Sequence, residues 1–455
     1  MTIYAKSALT PTGWKDGVSI EIGNDGSIEK VEQRDKPRAG QTSVGHVIAS
    51  PVNSHSYAFQ RAMAGLTEQR GAGQIDSFWT WRRLMYKFID RLTPEQVEAV
   101  ASFVQMEMLE AGYATNVEFH YVHHQVGGQP YDNIAELSDR ISAAALTSGI
   151  GLTLLPVHYQ YGGCDKRELT DGQRRFGNDL DRFQKLVEAA SKGINALPRD
   201  CNIGVAPHSL RAVAPEAFEP LSKMVSDGPV HLHIAEQIPE VEEVQNAWGK
   251  RPVEWALDNI DIDSRWCLIH CTQMLPHETK GLAETGAVAG LCPITESSLG
   301  DGIFDGMNWM NHGGLISVGS DSNIRISLSE ELRTLDYSQR LRDHTRAAFA
   351  TETKSTGRRL LDAISKGGAQ AAARNTGSIE VGKWADLTAL DANNSNFVGR
   401  SGDTLLDSFV FAADDRAVTD VWSAGRHMVQ SGQHIRRDEI ARGYVAALEA
   451  IQTDL

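Results

Sequence analysis

The chain has 455 residues, with 59 acidic against 44 basic side chains, a formal net charge of −15, 41% apolar and 23% charged residues. An acid surplus with no Lys/Arg block to offset it locally lacks the electrostatic footprint that a phosphate backbone requires, so nucleic acid is not an expected partner, and the ordinary apolar share excludes wholesale disorder. At about 150 residues per domain the length suggests roughly three domains, unless one α/β barrel takes most of it.

The opening residues, MTIYAKSALTPTGWKDG, have no basic segment leading into an apolar run, and no stretch of about 18 apolar residues occurs, so neither a secretory leader nor a membrane span is expected. The five cysteines (Cys164, Cys201, Cys267, Cys271, Cys292) include no CxxC pair; an odd count reads as reduced thiols and points to the cytoplasm.

In chain order, residues 1–45 read as short strands. Segments 17–22 and 27–31 flank Asn24-Asp25-Gly26, a turn that tolerates the positive φ of a tight hairpin. The clearest helix starts at Thr93, which can cap, with Pro94 at its first position and Gln96 completing a capping box. Val97, Val100, Ala101, Val104 and Met108 then share one face, and Gly112 ends the helix. Short apolar runs between helical segments place strands near 46–52, 114–120, 150–157, 202–207, 229–234, 266–270, 287–292 and 315–320. Eight such strands alternating with helices predict an α/β architecture, a (β/α)8 TIM barrel, whose chemistry lies at the C-terminal ends of the strands. Beyond about residue 372 the pattern returns to β, over 377–391 and 418–432, and a helix is expected at about 437–452. The predicted organisation is a small β-sandwich domain from residues 1–45 and 372–435, a barrel over 46–371 and a C-terminal helix in 436–455.

Burying an imidazole or a carboxylate is costly unless a partner or a metal compensates. Four of the apolar runs nevertheless end in polar groups: Asn53-Ser54-His55-Ser56-Tyr57, His231-Leu232-His233 followed by Glu236, the run closing on His270, and the run closing on Asp321. On a barrel these meet at one rim. His55, His233 and Asp321 match the imidazole-and-carboxylate set of a hydrolytic zinc site that keeps one position for water. Glu236, three residues after His233, is a candidate proton shuttle. Tyr121, at the end of the second strand, is placed to hydrogen-bond a substrate, and Arg82, His208 and Arg211 are the cationic groups expected at the rim, where a guanidinium fork suits a carboxylate. The His120-Tyr121-Val122-His123-His124 run has no carboxylate or cysteine at ligand spacing and is expected to be an exposed loop. Gly71-Ala72-Gly73 and Gly162-Gly163 lack the strand-to-helix setting of a nucleotide loop, no GxSxG occurs, and the adjacency of His270 and Cys271 does not make a nucleophile and base.

These residues resemble the amidohydrolase superfamily and, within it, the formimidoylglutamate deiminases. The likeness runs nearly end to end, and its distinctive stretches are HSYAFQRAMAG (55–65), DSFWTWR (76–82), EFHYVHH (118–124), HSLRAV (208–213), HLHIAEQ (231–237), LGDGIF (299–304) and GSDS (319–322). The resemblance implies an iminohydrolase with one zinc per chain that converts a small dicarboxylate, N-formimino-L-glutamate, to N-formyl-L-glutamate and ammonia in histidine degradation. On that likeness His55, His233 and Asp321 are metal ligands, and Glu236, His270 and Asp321 are catalytic. Gln60, Arg82, Tyr121, His208 and Arg211 receive the substrate, and a homodimer is the family expectation. The sequence departs from the family pattern at Tyr57, where the second histidine of a His-x-His pair is expected, and at Gln273 and Asn323, where further histidines are. All three are expected near the metal. Tyr57 can ligate only as a tyrosinate, against a phenol pKa of about 10, so the cation is expected to lose one neutral ligand. Two further readings therefore stand beside the deiminase: an amidohydrolase with a reworked site acting on another small dicarboxylate, and a metal-poor, inactive binding homologue.

Overall fold

Strands β1 (Thr2–Thr10), β2 (Gly13–Ile22), β3 (Ile28–Gln33) and β4 (Thr42–Ala49) open the chain in the computed structural model, which describes residues 1–68 and 78–452, the side chains of 78–83 and 452 excepted. The β2–β3 hairpin turns at the expected place. Gly26 lies at φ +89°, a left-handed conformation glycine adopts without steric cost, and its N–H donates to Gly23 O at 3.1 Å.

The expected first barrel strand at 46–52 is instead divided between two sheets. Residues 46–49 finish β4, which pairs parallel with β1, and the barrel begins at β5 (Val52–Ser56). Pro51 has no N–H for either ladder, so the chain leaves one sheet there and enters the next. The barrel continues through β6 (Thr115–His120), β7 (Gly151–His158), β8 (Asn202–Ile203), β9 (Ala206–Pro207), β10 (Val230–Ile234), β11 (Trp266–His270), β12 (Val288–Leu291) and β13 (Leu315–Val318). All pair in parallel in the order β10-β11-β12-β13-β5-β6-β7-β8. Their near-continuous apolar character follows from burial on both faces, inside by packed side chains and outside by helices.

The fourth position of the ring is split, since β8 and β9 hold two residues each and both pair with β7. The ring closes where Val205 bridges Val230 in parallel, and Gly204 permits the approach, because a Cβ there would stand 2.3 Å from Pro229 O. Outside the ring, the helix Pro94–Glu110 carries the predicted box: Gln96 N–H donates to Thr93 Oγ1 at 3.3 Å and Thr93 N–H to Gln96 Oε1 at 3.0 Å.

Strands β14 (Leu387–Leu390), β15 (Val418–Ser423), β16 (Arg426–Gln430) and β17 (Gln433–His434) return to the first sheet, in the order β17-β16-β15-β14-β4-β1-β2-β3. The sheet curls until Ala385 N–H reaches Gly26 O at 2.9 Å, enclosing Ile3, Val18, Ile20, Val47, Leu387 and Trp422. Of the expected 377–391 β segment only β14 is a strand, and a helix the sequence reading did not foresee, Asp403–Phe411, buries Leu405, Leu406, Phe409 and Val410 in the barrel-side core. Arg374 locks this sheet to the barrel. It grips Asp386 at 2.8 and 2.9 Å and Asp200 at 2.9 Å, and Arg426 holds the same Asp200 at 2.6 and 2.8 Å. The last helix, Arg437–Gln452, lies where the sequence put it, and no helix among the described residues is long and apolar enough to cross a membrane.

Candidate active site

The parallel register brings the polar strand ends together. Ile234 pairs with His270 across β10–β11, Val318 with Asn53 across β13–β5, and Ser56 bridges Asp321. A strand period of two puts His231 one layer beneath His233, where its Nε2 sits 2.7 Å from Ala371 O and serves the scaffold. The rim itself is strained: Ala235, His270, Asp321 and Asn323 have φ of +52°, +71°, +46° and +53°, a region that costs a non-glycine residue on the order of 1–3 kcal/mol. Buried side chains hold it there. Glu240 accepts from Ala235 N–H at 3.1 Å and Glu236 N–H at 2.9 Å, and Thr272 Oγ1 donates to Glu236 O at 2.7 Å.

At the centre, His233 Nδ1 faces the carbonyl of His208 at 2.9 Å, and because a carbonyl only accepts, Nδ1 carries the proton. The lone pair is therefore on Nε2. That nitrogen lies 3.2 Å from His55 Nε2, and His55 Nε2 lies 3.6 Å from Asp321 Oδ1. These two edges are close to the roughly 3.3 Å that a tetrahedral zinc with arms of about 2.0–2.1 Å demands. Among the described residues, the donor atoms that lie within 4.8 Å of one another fall into two groups sharing His270, one of His55, His233 and His270 and one of His270, Cys292 and Asp321. His55 therefore links His233 to Asp321, and the set needs Asp321 to draw nearer His233 around an ion. Burial and neighbouring imidazoles hold His55 well below the ordinary histidine range. Burial and His270 do the same for His233, so both rings stay neutral, as ligation requires. Burial pushes the Asp321 carboxyl up to about 7 even with His270 opposing the rise.

Tyr57 stands at the same centre. Its hydroxyl is 2.6 Å from His233 Nε2 and must be the donor, since burial, with Asp321 adding to it, holds the phenol well above its ordinary pKa. Opposite, His270 Nε2 faces Glu236 Oε1 at 3.7 Å and Asp321 Oδ2 at 3.9 Å, and its Nδ1 faces Glu296 Oε1 at 3.3 Å. Burial alone would favour the neutral ring, but Glu236, Glu296 and Asp321 outweigh it and hold His270 charged.

One pocket opens onto this centre, and Gln60, Tyr121, His208 and Arg211 line it together with Tyr57, His233, Glu236, His270 and Asp321. Arg82, the remaining sequence candidate, has its side chain outside the described residues. Two expectations are corrected. The His120–His124 loop is buried rather than exposed, with His123 Nε2 2.9 Å from Val157 O and His124 Nε2 2.9 Å from Asn178 Oδ1, because aromatic rings such as Phe183 pack over it. Of the three departures from the family pattern, only Tyr57 reaches the centre. Asn323 donates to Tyr57 O at 3.0 Å and Ser56 Oγ at 3.2 Å and accepts from Ser320 Oγ at 2.5 Å, and Gln273 donates to Asp301 O, so both side chains brace the rim.

Residues 47–428 match the amidohydrolase family, and residues 1–43 match the N-terminal domain of formimidoylglutamate deiminase HutF. The chain belongs to the amidohydrolase family. It is similar to the formimidoylglutamate deiminase of Pseudomonas aeruginosa, 44% identical over 448 residues and 98% of each chain. Among solved structures it is similar to an amidohydrolase from Brucella melitensis, with TM-score 0.95, 44% identity and 99% of each chain covered. An adenosine deaminase from Xanthomonas campestris with bound zinc, TM-score 0.81 and 20% identical over 99% of this chain and 98% of that one, shares the fold alone.

Within this amidohydrolase, sequence reasoning passed over Glu118 and Glu296. Glu118 accepts from Ala58 N–H at 2.7 Å and Asn116 Nδ2 at 3.1 Å, and so ties β6 to the turn that carries Tyr57; burial nevertheless lifts its carboxyl to about 7. Glu296 could have been found as a carboxylate opening the helix after the seventh barrel strand, on the face where chemistry was expected.

Proposed function

We propose that this amidohydrolase hydrolyses N-formimino-L-glutamate to N-formyl-L-glutamate and ammonia, with one zinc per chain held by His55, His233 and Asp321. The 44% identity over 98% of the chain to a formimidoylglutamate deiminase carries the choice of substrate, and the pocket supplies the chemistry. When bound, a zinc ion supplies the Lewis acidity that makes water nucleophilic near neutral pH. Arg82, His208 and Arg211 receive the two substrate carboxylates, while Gln60 and Tyr121 offer hydrogen bonds. Glu236 takes a proton from the attacking water and delivers it to the terminal nitrogen, then takes the proton of the hydroxyl now on carbon and delivers that as well, so that the nitrogen leaves as ammonia as the C–N bond breaks and C=O forms. His270, held charged by the carboxylates around it, stabilises the charge that develops at the attacked centre.

Support for a decayed, metal-poor homologue weakens once Asn323 and Gln273 are accounted for by the scaffold, leaving Tyr57 alone at the centre. The reading extends to a cytoplasmic homodimer acting in histidine degradation, each chain divided at 1–50 plus 372–435, 51–371 and 436–455, the first boundary moved from residue 45 because β4 runs on to Ala49. Five thiols outside any disulfide suit a reducing compartment. The test is product analysis with zinc-supplemented protein. Equimolar ammonia and N-formyl-L-glutamate support the proposal; glutamate with formamide, or no turnover with zinc bound, overturns it.

A further inference from the structure

Glu296 stands behind His270, on the side away from the pocket. His270 Nε2 looks toward Glu236 and Asp321 at 3.7 and 3.9 Å, while Nδ1 lies 3.3 Å from Glu296 Oε1. The carboxylate is itself pinned. Cys292 N–H donates to the same Oε1 at 2.8 Å, and Glu296 N–H donates back to Cys292 O at 2.8 Å at the start of the helix Pro293–Leu299. Both partners are buried, with His270 1% and Glu296 5% exposed, so bulk water does not weaken the bond. The backbone of His270, at φ +71°, sets where its ring starts, but rotation about the ring bond remains to be decided. A half-turn would exchange the ring positions and put carbon Cε1 where Nε2 now faces the two carboxylates.

We propose that Glu296 is a positioning residue for the deimination: by accepting the hydrogen bond from Nδ1–H it fixes the orientation of the His270 ring and presents Nε2–H to the reacting centre. This rests on the function proposed above. Glu296 does not line the pocket, so changing it alters what His270 does without altering substrate contacts. Glu331 is the matched control. It is equally buried near the same helix start, but it accepts from Ile294 N–H at 3.0 Å rather than from His270.

The experiment compares wild type, Glu296→Gln, Glu296→Asp, Glu331→Gln and His270→Asn for kcat, KM, zinc content, melting temperature and the far-downfield imidazole proton spectrum. Glu296→Gln should lose roughly 10- to 100-fold in kcat with KM and zinc content nearly unchanged. It should also lose the Nδ1 proton resonance that His270→Asn lacks, whereas Glu331→Gln keeps both kcat and the resonance. Glu296→Asp, with its charge on a shorter arm, should show the same split and serves if the glutamine variant does not fold. An unchanged kcat in Glu296→Gln, an equal loss in Glu331→Gln, or zinc lost together with activity overturns the inference. Wild type that releases no ammonia from N-formimino-L-glutamate refutes the functional reading instead, and the resonance then tests the Glu296–His270 bond by itself.

Discussion

Replacing Tyr57 by phenylalanine removes one oxygen from the centre and leaves the ring in place. That ring packs edge-on to His55 at 4.9 Å, Tyr121 at 5.1 Å and Phe119 at 5.6 Å, contacts phenylalanine keeps. What disappears is the 2.6 Å bond from the Tyr57 hydroxyl to His233 Nε2. With Nδ1 donating to His208 O, Nε2 holds the only lone pair of that ring, and a cation claiming it must displace the hydroxyl. A hydrogen bond of this kind contributes about 0.5–1.5 kcal/mol net, so Tyr57→Phe should bind zinc roughly 2- to 12-fold more tightly, with the zinc-free protein less stable by the same amount. Competition against a chromophoric chelator at fixed pH measures the affinity, and melting curves with and without zinc measure the stability. A weaker affinity in the phenylalanine variant would refute the reasoning, because the Tyr57 oxygen would then be a ligand and not a competitor.

Glu236→Gln should lower kcat by about 10²- to 10⁴-fold with zinc content unchanged, read from steady-state ammonia release and elemental analysis. Asn323→His puts a histidine where the family pattern has one, yet it should cost about 2 kcal/mol or more of stability without tightening zinc. It breaks the bonds to Ser56, Tyr57 and Ser320 at a fully buried, left-handed position, and denaturant unfolding with zinc titration checks both halves. Arg374→Met leaves Asp386 buried without its bidentate partner and should cost about 3–5 kcal/mol at neutral pH. Burial would raise Asp200, but Arg426 and Arg374 hold it below the ordinary aspartate value. Its share of stability is therefore complete above the unfolded-state pKa and lost as pH falls through the folded one. The gap between wild type and Arg374→Met should accordingly narrow in acid, as followed by unfolding midpoints across a pH series.

The barrel was legible because strands buried on both faces read as unbroken apolar runs, and 266–270 was placed to the residue. The run at 46–52 misled for the same reason: apolar residues continue from one sheet into another, and Pro51 is the only local mark of the change. His55, His233, Glu236, His270 and Asp321 could be singled out because polar groups at the ends of buried runs are costly. What their neighbours do could not be read. Asn323 lies in the loop after β13 and Tyr57 just after β5, two strands that pair side by side although they are far apart in the sequence, so sequence spacing says nothing of which side chain turns inward and which braces the backbone. The His120–His124 loop was misjudged because its cover, Phe183, comes from a helix some sixty residues later in the chain.

The most direct measurement is a zinc titration of chelator-stripped protein while ammonia release from N-formimino-L-glutamate is followed. Turnover should climb to a break at about one zinc per chain, and His55→Ala and His233→Ala should abolish both the break and the turnover. Stoichiometric zinc binding with no ammonia released, or turnover indifferent to stripping, would contradict a zinc-dependent deiminase built on His55, His233 and Asp321.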